Sequence, residues 1–334
     1  MSLRNTIKRT LAGASEQTGV LRRRRRSDGL GILMLHKINP RPDPLPLTMP
    51  PQLLAEVFDE VGRHHALVHV DDALDENGVR GGDGLRFSVT VDDGYRDNYT
   101  HLFPMLSAQK VPITIYLAIE YLNGTRRFWY ERLQHAIESS SRTQLLSGFG
   151  SLGTLSLDGR TRRTAALIAL NDYLKQFDDA TREQHVERIV ANLMPEGESV
   201  VSPMLTWDMV REMAAAGIHF GSHTFSHPIL SRESEQRVMR ETRESRLELE
   251  KRLGTPVTGF AYPNGTPADF NDATVAAVRR AGYTHACTTI AGINRPGGDN
   301  FRLRRINLHP GMCTDHNGRF SRNLFWAKVL GVLG

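Results

Sequence analysis

Two short motifs in the sequence combine carboxylates and histidines at spacings that suit metal-assisted hydrolysis. Asp92 and Asp93 end an apolar run just before Gly94, and at a junction of strand and turn two adjacent carboxylates can reach one pocket. One could bind a metal ion while the other stays free as a base, although a plain Asp-Gly turn is the alternative. His223 and His227 are four residues apart, which predicts two imidazoles on one side of a helical turn. Two histidines and one aspartate leave coordination positions open, as a catalytic metal site requires.

A third motif runs from an aromatic segment into a tight turn. Phe260 lies in a predicted strand, and Pro263 and Gly265 form the turn that follows it. Backbone N–H groups in such a turn could face an oxyanion. All three motifs end predicted strands, and active groups of parallel barrels lie at the carboxyl ends of strands, so we expect them to meet in one site.

The order and content of these motifs are similar to those of the polysaccharide deacetylases, the chitooligosaccharide-deacetylase-like enzymes of carbohydrate esterase family 4. Their Thr-Phe-Asp-Asp-Gly motif resembles residues 90–94, and their His-Ser/Thr-x-x-His motif is matched by residues 223–227. Their Pro-x-Gly turn after an aromatic strand is similar to residues 260–265, and residues 306–309 approach their Leu-x-x-His-like strand end. The resemblance covers residues 30–122 and 203–310.

This resemblance implies that Asp92 is the general base and that Asp93, His223 and His227 bind a divalent metal ion. Zn²⁺ is the favoured ion, with Co²⁺, Ni²⁺ or Mn²⁺ as alternatives. Such an ion polarises an amide carbonyl and acidifies the attacking water, and an unligated carboxylate can take the proton of that water.

The resemblance also assigns the general acid to His309 and an oxyanion contact to the backbone N–H of Asn264. The third motif of the family usually begins with an arginine that braces the base, but this chain has Ala261 there. Among the arginines at positions 302, 304 and 305 we predict that Arg305 supplies the brace, because it lies four residues before His309 on the last strand. The family's Asp-Trp motif, which supports the acid, has no recognisable counterpart.

Three further residues are assigned to the substrate pocket. His36 closes the first predicted strand and could line the pocket, as a histidine does in some exopolysaccharide relatives, although a packed strand-end histidine is the alternative. Tyr262 and Pro263 are assigned to substrate binding from their place in the third motif. Trp129 and Tyr130 could stack on a sugar ring, although aromatic residues at helical spacing more often form a core.

Alternating strands and helices predict an α/β fold, a distorted parallel (β/α) barrel of the polysaccharide deacetylase type. Strands are predicted at 31–36, 85–91, 113–117, 218–221, 259–262, 284–289 and 304–308. Helices are predicted at 52–64, 102–109, 129–137, 162–177, 181–194, 207–216, 233–253 and 271–281. No convincing strand appears between residues 123 and 204, which predicts a helical insertion that shapes substrate access rather than chemistry.

The sequence therefore divides into five predicted segments. These are a basic arm (1–29), the first part of the barrel (30–122), the helical insertion (123–203), the second part of the barrel (204–312) and an apolar tail (313–334). Residues 1–26 carry eight basic side chains and one acid, which leaves 34 basic and 36 acidic side chains for the rest. That remainder has no excess of cations, so we expect no nucleic-acid partner.

Composition predicts a globular, cytoplasmic protein. Hydrophobic residues make up 40% of the chain and charged residues 24%, and the two cysteines, Cys287 and Cys313, cannot build a disulfide framework. No apolar run reaches the ~18 residues that a membrane span needs, and we expect no secretory signal. Residues 1–26 and 322–334 could make peripheral contact with the inner face of the membrane, although a tail packed on the barrel is the alternative.

The leading functional hypothesis is metal-dependent removal of an N-acetyl group from a sugar, with release of acetate. The expected substrate is an N-acetylated glycan or a lipid-linked glycan precursor, as in exopolysaccharide or lipopolysaccharide biosynthesis. Hydrolysis of non-sugar amides or cyclic imides on the same fold is one alternative. An inactive glycan-binding relative, suggested by Ala261, is another. An iron oxygenase also uses two histidines and a carboxylate, but the extra aspartate fits hydrolysis better.

Overall fold

The computed structural model describes residues 27–41, 45–124, 126–146, 148, 151–194 and 204–333. The basic arm at residues 1–26 lies outside them, so its predicted membrane contact stays a prediction. Within the described ranges, none of the helices is both long enough and apolar enough to cross a bilayer.

The chain forms thirteen strands and ten α-helices within these ranges. The strands are β1 (Gly29–Leu35), β2 (Lys37–Ile38), β3 (Thr48–Met49), β4 (Leu74–Asp75), β5 (Gly78–Val79), β6 (Leu85–Asp93), β7 (Ile113–Leu117), β8 (Gln144–Leu146), β9 (Thr154–Ser156), β10 (His219–Ser222), β11 (Gly259–Ala261), β12 (His285–Cys287) and β13 (Ile306–Asn307). The helices are α1 (Pro51–Gly62), α2 (Phe103–Gln109), α3 (Trp129–Ser139), α4 (Arg160–Leu174), α5 (Asp179–Leu193), α6 (Trp207–Ala215), α7 (Glu235–Leu253), α8 (Asp272–Arg280), α9 (Pro310–Cys313) and α10 (Arg322–Val329).

Seven parallel strands form the central sheet, in the order β12-β11-β10-β7-β6-β1-β13. Every residue of β1, β6 and β7 is buried, as expected for parallel strands covered on both faces. The two edge strands, β12 and β13, approach each other near Leu303, which lies shortly before β13. Its N–H donates to the Ala286 carbonyl of β12 at 3.0 Å, and its carbonyl accepts from the Thr288 N–H, just after β12, at 2.8 Å. The sheet is therefore a curled, distorted barrel, which confirms the predicted fold class.

The segment between β7 and α6 contains the three helices predicted for the insertion, α3, α4 and α5. They enclose a second apolar core, separate from that of the barrel, to which Leu133, Leu170 and Val186 belong. The antiparallel hairpin β8–β9 was not predicted. Its strands have three residues each, and β8 buries only Leu145, so the sequence has too few alternations to indicate a strand.

The apolar tail packs into the barrel core. Phe325 and Trp326 of α10 are fully buried, and the Trp326 Nε1–H donates to Glu60 Oε1 on α1 at 2.7 Å. Leu324, Val329, Leu330 and Leu333 are buried as well. Of the two alternatives predicted for the tail, packing on the barrel is the one that its described residues show, and the apolar side chains that would enter lipid are part of the core.

Candidate active site

The two aspartates meet in one pocket at the carboxyl end of β6. Asp93 has a left-handed backbone (φ 76°), as does Gly94 (φ 87°), so the chain turns at the end of the strand. A Cβ on Gly94 would lie 2.7 Å from Cδ2 of Leu117, so the turn requires glycine. Both Asp92 and Asp93 are buried and line the same pocket, as the sequence predicted.

Asp92 forms a two-pronged ion pair with Arg305. Nη1 and Nη2 of Arg305 donate to the two carboxylate oxygens of Asp92, each at 2.7 Å, and Arg305 Nε donates to the Thr288 carbonyl at 2.7 Å. Burial disfavours the charged form of Asp92, but the charge of Arg305 overrides it and holds the pKa well below its usual range. The arginine predicted to compensate for Ala261 thus lies against Asp92.

Replacing Arg305 with methionine should lower the free energy of unfolding by about 3–5 kcal/mol at neutral pH, because Asp92 stays buried without its partner. The folded-state pKa of Asp92 is depressed, so the pair stabilises the fold above the unfolded carboxyl pKa of ~4 and less as the pH falls below it. Urea unfolding should therefore show a difference in the free energy of unfolding between wild type and variant, and this difference should become smaller in acid. The double variant with Asp92→Asn should recover part of the loss; equal stability of wild type and single variant would contradict this account.

His223 and His227 lie in an irregular loop after β10 and not on a helical turn, which corrects the predicted local structure. Thr224 (φ 69°) and His227 (φ 59°) have left-handed backbones, which an α-helix cannot contain. Thr224 Oγ1 accepts from the His227 N–H at 2.9 Å and so closes the loop. The spacing of four residues still brings both imidazoles to the same point.

Glu241 of α7 holds this loop in place through three hydrogen bonds and was not predicted from the sequence. Its carboxylate accepts from the Phe225 N–H at 2.9 Å, the Ser226 N–H at 2.8 Å and the Ser226 hydroxyl at 2.7 Å. Glu241 is only 4% exposed. Nothing in the sequence distinguishes it from the other acids of the highly charged helix, so only its burial reveals the role.

Asp93, His223 and His227 form a group with the donor set of a metal site. Asp93 Oδ1 lies 3.6 Å from His223 Nε2 and 3.5 Å from His227 Nε2, and the three donor atoms all lie within 4.8 Å of one another. His223 Nδ1 lies 2.7 Å from the Ala261 carbonyl, which can only accept, so Nδ1 carries the proton and Nε2 keeps a free lone pair. The buried Asp93 Oδ1 has no hydrogen-bond partner. These residues fit a divalent cation.

The electrostatics of the group agree with this fit. Burial raises the pKa of Asp93 to about 8, and the neighbouring charges of Asp92 and Glu131 add to the effect. Burial lowers the pKa values of His223 and His227, so both imidazoles are neutral at pH 7 and able to act as ligands. A cation at this point would offset the cost of a buried charged Asp93.

The pocket over the aspartates has a volume of about 440 Å³. It includes the predicted residues His36 and Asn264, and His36 Nε2 lies 4.0 Å from Asp92 Oδ2. Burial lowers the pKa of His36 to about 4. The insertion supplies one wall of the pocket, which consists of Trp129, Tyr130, Ile168, Asn171, Asp172 and Lys175. A larger cavity of about 580 Å³ contains none of the three metal-ligand candidates, so size alone does not locate the site.

Besides Arg305, which lies behind Asp92, three predicted site residues do not line this pocket. His309 is the half-buried residue before α9, where burial and the charge of Lys328 lower its pKa. Tyr262 is fully buried, stacks on Phe270 and donates its hydroxyl to the Phe301 carbonyl at 3.1 Å. Pro263 is part of the turn, where its carbonyl accepts from the Gly265 N–H at 2.7 Å. The motif positions of these three residues predicted roles in the site, but their side chains do not line the pocket.

Comparisons with known proteins agree with the fold and the motifs. Residues 164–286 match the family model described as polysaccharide deacetylase, a span that includes the histidine motif and the Pro-x-Gly turn but not the aspartates. The chain is 25% identical over 219 residues to the putative polysaccharide deacetylase YxkH of Bacillus subtilis, which covers 64% of this chain and 77% of that protein.

Two solved structures share the fold. IcaB from Ammonifex degensii has a TM-score of 0.56 at 20% identity, covering 86% of this chain and 94% of that one. The Streptococcus pyogenes deacetylase PplD, solved in complex with acetate, has a TM-score of 0.55 at 19% identity, covering 86% and 95%. These findings show that the chain is similar to polysaccharide deacetylases over part of its length and that it shares the fold of IcaB and PplD.

Proposed function

We propose that this protein is a metal-dependent N-deacetylase that removes the acetyl group from an N-acetylated sugar of a glycan or glycan precursor. The observation that supports this most is the difference between two adjacent buried carboxylates. Asp92 is held ionised by Arg305, whereas Asp93 shares its free oxygen with two imidazoles. One carboxylate is thus available as a base and the other as a ligand.

Asp93, His223 and His227 would hold the ion, and Zn²⁺ suits a set of two imidazoles and one carboxylate. When bound, a divalent ion of this kind polarises the amide carbonyl and lowers the pKa of water. Asp92 would accept the proton of the attacking water, because its carboxylate is ionised and is not one of the ligands. Arg305 keeps that carboxylate charged and fixed in direction.

His36 replaces His309 as the proposed acid for the leaving amine. It lines the pocket beside Asp92, whereas His309 does not. Its lowered pKa means that it holds a proton weakly, so the proton that Asp92 takes from the attacking water could pass through His36 to the leaving amine. Asn264 also lines the pocket at a left-handed turn (φ 59°), where its backbone N–H could donate to the oxyanion.

Replacing His36 with glutamine should lower kcat by about 100-fold or more, because the proton donor for the amine is lost. His309→Gln is the matched control and should stay within a few-fold of wild type. Steady-state rates of acetate release with metal-loaded protein would measure both. A larger loss from His309→Gln than from His36→Gln would return the acid to His309.

The function is tested with a substrate panel. Metal-loaded protein is incubated with N-acetylglucosamine oligosaccharides, lipid-linked N-acetylated sugars, small N-acetyl amides and cyclic imides, and hydrolysis is followed. Activity confined to the sugars supports the proposal. Hydrolysis of amides or imides without sugar hydrolysis would favour the non-sugar alternative, and binding of sugars without hydrolysis would indicate an inactive relative.

A further inference from the structure

The insertion reaches the metal-ligand group through one tyrosine. Tyr130, in the first turn of α3, donates its hydroxyl to Asp93 Oδ2 at 3.2 Å. The Tyr95 hydroxyl lies 2.8 Å from that of Tyr130. A carboxylate that binds a cation is ionised and only accepts, so Tyr130 donates to Asp93 and, with its one hydroxyl proton used, accepts from Tyr95. The hydrogen bonds run in one direction, from Tyr95 through Tyr130 to Asp93.

This arrangement separates the two oxygens of Asp93. Oδ2 is engaged by Tyr130, whereas the buried Oδ1 has no hydrogen-bond partner and points at the two histidines. The rotation of the carboxylate is thereby fixed with one oxygen facing the place of the ion. A ligand held in this way pays less conformational entropy on binding than one that must first be oriented.

Tyr130 is itself held in place by its neighbours. Its ring stacks on Phe128 (centroids 5.2 Å apart, planes at 12°), and Phe128 also meets the edge of His227 at 5.0 Å. Glu131, the next residue of α3, pairs with Lys37 of β2 at 2.9 Å, and the Lys37 ammonium lies 4.6 Å above the Tyr95 ring. The start of α3 is thus bound to the barrel on both sides of the site.

We propose that the insertion is part of the metal centre and that Tyr130 is a positioning residue, which orients Asp93 and so increases metal affinity. This inference rests on the proposed metal site. It departs from the expectation that the segment only shapes substrate access. It also implies that removing the insertion would weaken metal binding, because Tyr130 would be lost with it.

The test measures metal affinity, not activity. Purified Tyr130→Phe protein is stripped of metal and titrated with Zn²⁺ against a competing chelator. Loss of an outer hydrogen bond to a ligand should weaken the affinity by about 10- to 100-fold. Tyr99→Phe is the matched control, because it also removes a tyrosine–carboxylate hydrogen bond, to Glu212 Oε2 at 2.7 Å, away from the pocket. Its affinity should equal that of wild type.

A second variant, Tyr95→Phe, keeps the test conclusive if Tyr130→Phe fails to fold. Tyr95→Phe keeps the bond to Asp93 but removes the donor behind it, so affinity should fall in the same direction and by less. The absorption spectrum of Co²⁺-loaded protein should change in Tyr130→Phe and not in Tyr99→Phe. Wild-type affinity in Tyr130→Phe would overturn the inference alone, whereas absence of metal binding in wild type would overturn the proposed metal site.

Discussion

Replacing Asp92 with asparagine is expected to lower kcat by about 100- to 10,000-fold while the protein still binds its metal ion. Asparagine has nearly the same shape but cannot accept the proton of water at neutral pH. The three proposed ligands do not include Asp92, whose two oxygens are both engaged by Arg305. Acetate release and metal content are measured on the same preparation.

Asp93→Asn is the matched control for this variant, because it makes the same chemical change one residue along the chain. It should lose metal and activity together. If Asp92→Asn lost the metal and Asp93→Asn kept it, the roles of the two aspartates would have to be exchanged. The variants test this assignment directly, since the two carboxylates are adjacent in sequence and share one pocket.

Single substitution of any ligand should abolish metal retention. Asp93→Ala, His223→Ala and His227→Ala each leave two protein ligands, and a site of three has none to spare. Metal content after dialysis, determined by elemental analysis, should fall to background and activity with it. His309→Ala, a half-buried histidine outside the pocket, should keep the full content. Full retention in any of the three ligand variants would remove that residue from the site.

Most of the barrel could be predicted because its strands have a strong local signal. The apolar runs at β1, β6 and β7 are buried on both faces, and β7 was predicted with the bounds that the structure shows. The hairpin β8–β9 had no comparable signal, since its strands are three residues long. The tail left two alternatives open because an apolar, aromatic segment of the same composition can enter a core or a membrane, and only its burial and its contact with Glu60 decide between them.

The site could be predicted in part for a related reason. Two short motifs hold the residues whose types and spacing indicate chemistry directly: Asp92 with Asp93, and His223 with His227. The roles of Glu241 and Tyr130 follow from contacts that only the folded chain forms, whereas Arg305 was predicted because the resemblance calls for a bracing arginine. His309 is the opposite case, because it matches a motif position but does not line the pocket in the structure.

The central claim is that this site hydrolyses an N-acetyl group with a bound metal ion. The most direct measurement is acetate release from N-acetylated oligosaccharides by metal-loaded wild type, before and after chelation, with Asp92→Asn as the blank. We predict acetate and an equal amount of free amino sugar, lost on chelation, restored by added Zn²⁺ and absent with Asp92→Asn. Acetate release that survives chelation, or that Asp92→Asn matches, would contradict the account.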